Sequence, residues 1–138
     1  RSPALSGAGH MIPSPDLLHW LRELPSRRAL HTLTLIAALL RKHRERAWDD
    51  RLVRSQHELA LAEDRELPEH TAAQMEQILV FFDSPASLRE VHLSREAGHD
   101  IKPENEERIN AELGALTMQL LLSARQSIAR LKWKRRAP

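Results

Sequence analysis

Residues 109–131, INAELGALTMQLLLSARQSIARL, decide the fold. Ile109, Leu113, Leu116, Thr117, Leu120, Leu121, Ala124, Ile128 and Leu131 recur at intervals of three and four. An α-helix turns once every ~3.6 residues, so this spacing gathers their side chains on one side of a rod. Ala115, Met118 and Leu122 widen the stripe. A stripe that wide calls for several neighbours rather than a narrow two-stranded seam. Gly114 lies inside it and costs roughly 1 kcal/mol relative to Ala, which predicts close approach of a second helix at that point.

The charges around this stretch follow the helix dipole. Lys102-Pro103 leads into Glu104, Glu106 and Glu107, and basic residues gather towards Arg135. Acid at the N-terminus and base at the C-terminus each stabilise a helix by about 0.3–1 kcal/mol per well-placed charge. The expected helix therefore runs from the first glutamates to about Arg135.

The preceding segments must cover this rod. Ser14-Pro15-Asp16 reads as a helix start, with Leu17, Leu18, Leu21 and Leu24 as its apolar side, Trp20 beside them and Pro25 as its end. At about ten residues it is too short to stand alone. Ser26 is the expected cap of the next helix, which carries Leu30, Leu33, Ile36, Ala37 and Leu40. No Gly or Pro occurs between Pro25 and Pro68. Residues 26–66 therefore read either as one long helix or as two helices broken near Trp48-Asp49-Asp50, and the weak breaker signal favours the long one.

Leu67-Pro68 is the clearest joint, with Thr71 and Gln74 placed as a capping box ahead of Ala72, Met75, Ile78, Leu79 and Phe82. Asp83-Ser84-Pro85 signals a stop and restart. A short helix should follow, with Leu88, Val91 and His92 facing inward, closing at Ala97-Gly98-His99-Asp100. The fold expected is all-α, a small bundle of four or five helices with a long C-terminal helix at its centre. Residues 1–10, RSPALSGAGH, have the small-residue composition and Gly-His-Met junction of a vector-derived leader, leaving 11–138 as a single helical domain.

Composition narrows the function classes. With 41% hydrophobic and 29% charged residues, the chain can bury a core and is too charged to be a membrane protein. Its longest apolar run, Leu33–Leu40, broken only by Thr34, falls well short of the roughly 20 residues of a membrane span, so integral membrane insertion is not expected. Cysteine is absent, which excludes disulfides, thiolate catalysis and sulfur-ligated zinc. A cytoplasmic location is the expectation.

Neither cofactor nor metal is implied by any motif. His57-Glu58 begins like a zinc-protease signature, but position 61 is Leu rather than the second histidine. Glu96 and His99 have the Glu-x-x-His spacing of a di-iron bundle, yet such a site needs two copies plus further carboxylates. No nucleophile elbow, paired-carboxylate setting or Gly-rich phosphate loop occurs. Catalytic residues are accordingly not assigned.

The charge is segregated along the chain. Residues 41–54 hold six basic groups against three acidic ones, 58–76 hold six acidic groups against Arg65, and 125–136 hold six basic groups and no acid. Arg125, Arg130, Lys132, Lys134, Arg135 and Arg136, with Trp133 among them, are candidates for phosphate contact, and the 41–54 cluster could extend such a surface. Trp20, Trp48, Leu116, Leu120 and Trp133 are candidates for a protein interface, because aromatics in polar settings anchor interfaces and the last helix is apolar beyond what its neighbours can cover. The function expected is a helical protein-interaction or regulatory module that is not an enzyme and forms a homo-oligomer or binds a protein partner. The alternative is a nucleic-acid-binding accessory protein that uses the basic C-terminal helix end.

Overall fold

The computed structural model describes residues 24–83 and 86–136, with side chains through Trp133. The expected Ser14–Leu24 helix, the 1–10 leader and Trp20 lie outside the described residues. Among the described residues four helices follow one another: α1 (Pro25–Lys42), α2 (Asp49–Asp64), α3 (Pro68–Val80) and α4 (Glu106–Arg136). Two short 3₁₀ turns, Leu88–Glu90 and Pro103–Asn105, punctuate the connection between α3 and α4. No strand occurs among the described residues.

α1 packs against α2, α2 against α3, α3 against α4, and α4 back against α1, so the helices form a four-cornered bundle. Neighbours run antiparallel. Ser26, near the start of α1, donates from Oγ to Glu63 near the end of α2. Arg28 donates to Gln126 Oε1 at 2.6 Å, which sets the start of α1 beside the last third of α4. α4 also touches both 3₁₀ turns, more elements than any other helix reaches. Leu33, Ile36, Leu40, Leu52, Leu59, Met75, Ile78, Leu88, Leu93 and Leu120 fill the core.

The chain breaks after Lys42 rather than continuing as one long helix. Arg44 takes φ = 61°, and Glu45 N–H bonds to Leu40 C=O at 2.9 Å. The same closure recurs after α2, with Glu66 at φ = 52° and Leu67 N–H bonded to Ala62 C=O at 2.9 Å. Both are Schellman-type ends, which usually place glycine in the left-handed position. Here arginine and glutamate occupy it, so the sequence carries no breaker. Burial of Trp48 compensates. Its ring lies 5.4 Å from that of Phe81, edge to face, and the Arg51 guanidinium sits 3.6 Å above it. Folding back lets Leu52 and Leu59 share the core with Leu33 and Leu40, which a protruding helix would leave in water.

Other local expectations are corrected. Pro25 opens α1, with Leu24 at the cap position, and Ser26 bonds to Glu63 instead of capping. Likewise Leu67, not Thr71, precedes α3; Thr71 is buried in its first turn. Residues 91–102 form no helix beyond the 3₁₀ turn Leu88–Glu90, which a reciprocal Ser87–Glu90 capping box starts. Val91 is half-buried, and His92 faces solvent.

Asn110 holds this irregular segment against α4. Its Oδ1 accepts from Leu93 N–H at 2.8 Å, and its Nδ2 donates to Leu93 C=O and Glu106 C=O, each at 2.8 Å. His43 Nδ1 lies 2.8 Å from Asp100 C=O, a bond in which the ring donates, and so ties the same segment to the end of α1. At Gly114 a Cβ would meet nothing within 4 Å. The close helix approach expected there is absent, and Gly114 faces outward.

Candidate interaction surface

The long helix buries only part of its circumference. Ile109, Leu113, Thr117, Leu120, Ala124 and Ile128 face the core. On the opposite side, Ala111, Ala115, Met118, Leu122, Ala129 and Trp133 fall within an arc of about 60° at 100° per residue, and all are exposed. They recur at intervals of three and four, apart from the Arg125 position between Leu122 and Ala129. Such a file matches the seam by which one helix packs lengthwise on another. Met118 is 38% exposed and Leu122 is 47% exposed.

α1 extends this patch. The Arg28–Gln126 bond fixes an antiparallel register that brings Leu35 level with Gln119. Leu35 is 42% exposed, and Ala38, one turn on, is also exposed. Leu35 and Ala38 on α1, and Ala115, Met118 and Leu122 on the adjoining α4, are thus all exposed. Single exposed leucines are common on protein surfaces, but an aligned group on two adjoining helices marks a contact face.

The structure redistributes the residues expected at an interface. Trp48 and Leu120 are core residues, 5% and 0% exposed, so they stabilise the bundle and offer nothing to a partner. Periodicity alone cannot tell the inner from the outer side of a helix that is apolar on both. Leu116 is half-buried against the core. Trp133, 69% exposed, ends the outer file. Sequence reasoning missed Leu35 and Leu122 as surface residues. For Leu122 the signal was the second three-four repeat on α4, offset from the first.

Of the basic tail, Arg125, Arg130 and Lys132 are exposed; Lys134, Arg135 and Arg136 lie in the last turns of α4, beyond the described side chains. The tail runs past the start of α1, whereas Arg41–Arg54 surrounds the other end of that helix. α1 is about 27 Å long at 1.5 Å per residue. The two clusters thus sit at opposite ends of the bundle and do not form one surface. Part of the second is engaged internally: Arg41 forks onto Asp49 at 2.9 and 3.2 Å, and Arg51 covers Trp48.

A depression of about 650 Å³ beside the α1–α2 turn is lined by Arg41, Arg44, Glu45, Arg46, Asp49 and Asp50. A cleft of about 220 Å³ at the other end is lined by Ser26, Glu63, Thr71, Ser127 and Arg130 among others. Both are open to solvent; the first is lined by charged side chains, and the second mixes Leu24, Pro25, Leu67, Pro68 and Leu131 with its polar groups. Neither is the apolar enclosure with convergent ionisable groups that favours small-molecule binding. No cluster of three or more His, Asp or Glu side chains suited to a metal occurs among the described residues. His57 is exposed, and His99 Nδ1 accepts from Ser94 N–H at 3.0 Å. None of the described helices is long and apolar enough to cross a membrane. Comparison with protein-family models, curated proteins and solved structures finds no match to this chain.

Proposed function

We propose that this bundle is a non-enzymatic protein-interaction or regulatory module that self-associates through the α1–α4 face. The observation that carries this reading is the aligned exposure of Leu35, Met118 and Leu122 on two adjoining helices. Burying that patch removes apolar surface from water, at about 25 cal/mol per Å². A second copy presents the same patch and can satisfy it with a two-fold axis. Light scattering across a micromolar concentration series tests this. A mass rising to twice 15.8 kDa is expected, and Leu122→Glu should hold it at the monomer value. A constant monomer mass for the unaltered chain refutes self-association.

A second reading rests on Trp133, which stands 69% exposed between Lys132 and the basic end of α4. An indole flanked by cations suits stacking on an unpaired base with neighbouring phosphate contacts. Binding to single-stranded oligonucleotides should then weaken steeply with salt and fall when Arg130, Lys132 and Trp133 are changed to Ala. Absence of binding at low salt rejects it.

A further inference from the structure

The order of residues along the outer face of α4 specifies how a second copy would lie on it. The first third of the helix region is acidic, with Glu104, Glu106, Glu107 and Glu112 against Arg108. Towards the other end come Arg125, Arg130 and Lys132, with no acid between them. Glu107, Glu112, Arg125, Arg130 and Lys132 are all exposed and flank the apolar file. Size is graded in the same direction: Ala111, Gly114 and Ala115 lie early, whereas Met118, Leu122 and Trp133 lie later.

Two copies of such a helix fit in only one order. Side by side and parallel, they would set Glu112 beside the partner's Glu107 and Arg130 beside the partner's Arg125, like charge on like charge, and would leave the small residues facing each other across a gap. Antiparallel, the acidic third of each meets the basic third of the other, and bulky residues meet small ones.

We infer that α4 pairs lengthwise and antiparallel with the α4 of a second copy, crossing it between Met118 and Leu122. In that arrangement Met118 packs on the partner's Leu122, and Ala111 on the partner's Ala129. Glu112 faces the partner's Arg130 along one flank, and Glu107 faces the partner's Lys132 along the other. The two-fold axis repeats each pair, giving four opposite-charge contacts around an apolar centre. Trp133 reaches the start of the partner's α4, which gives its exposed ring a surface to cover. Leu35 and Ala38, beside the crossing point on α1, widen the contact. The inference rests on the self-association proposed above and adds its orientation and pairing.

The chain lacks cysteine, so introduced thiols report geometry without interference. Glu112→Cys and Arg130→Cys variants, both at exposed positions, are oxidised separately and as an equimolar mixture. Antiparallel pairing predicts a cross-linked dimer in the mixture and little in either variant alone. A mixture of Glu107→Cys and Glu112→Cys variants tests the other order: efficient cross-linking there, with none between positions 112 and 130, means parallel pairing and overturns the inference. A light-scattering dimer with no cross-link in any sample means that another face is used, which also overturns it.

Charge reversal supplies an independent measurement. Glu107→Lys with Glu112→Lys should weaken the dimer about tenfold or more, as should Arg130→Glu with Lys132→Glu, and mixing the two variants should restore it. Unchanged dimerisation in both reversed variants overturns the pairing. A monomer mass for the unaltered chain at every concentration is a different result, because it removes self-association itself.

Discussion

Thr32 is completely buried in the middle of α1, and its Oγ1 has no hydrogen-bond partner among the described residues. Thr34, two residues on, shows the usual solution, donating to Leu30 C=O at 2.8 Å. A buried hydroxyl without a partner loses its water and gains nothing in exchange, a cost of about 1–3 kcal/mol. Valine has nearly the same shape and a similar helix propensity, and it replaces the hydroxyl with a methyl that Leu33 and Ile36 can surround. Thr32→Val should therefore stabilise the bundle by about 1–2 kcal/mol. With a urea slope of about 1.5 kcal/mol per molar, the unfolding midpoint rises by roughly 0.7–1.3 M. Thr32→Ser keeps the hydroxyl and deletes the methyl, so its midpoint should fall. A Thr32→Val midpoint at or below that of the unaltered chain, with an unchanged slope, would refute the assignment of Oγ1 as unsatisfied.

Three further substitutions probe the joints of the fold. Asn110→Ala strands the N–H and C=O of buried Leu93, and should cost about 2–3 kcal/mol and abolish hydrogen-exchange protection at the Leu93 amide. Undiminished protection at that amide would show that Asn110 does not pin the segment. Gly114→Ala adds a Cβ to an exposed helix position with nothing within 4 Å, and should raise stability by about 0.5–1 kcal/mol, read as a thermal midpoint roughly 2–3 °C higher. Arg44→Gly relieves a left-handed backbone at φ = 61° and should stabilise by about 1 kcal/mol in urea unfolding; a loss would mean that the arginine side chain contributes more than its backbone costs.

The chain's own pattern specified the parts of this molecule that depend on local periodicity. The three-four repeat of Ile109 to Leu131 required a helix, the glutamates and basic residues at its ends oriented it, and Pro68 marked the joint before α3. The all-helical class followed from a composition with four glycines and abundant Leu, Ala, Glu and Arg. These signals are readable because each acts within a few residues of its cause.

Tertiary packing decided the rest. The turn between α1 and α2 has no glycine or proline to announce it; it exists because Trp48 and Leu52 reach the core only if Arg44 takes a strained backbone. Residues 91–102 stay irregular because Asn110, seventeen positions from Leu93 in sequence, supplies the hydrogen bonds a helix would have made. The contact face was hidden for the same reason. Leu120 and Leu122 are identical in chemistry and two positions apart, yet one is 0% exposed and the other 47%. Which becomes core and which becomes surface depends on where α1 and α3 come to rest against α4, and that is settled by contacts between segments far apart in the chain.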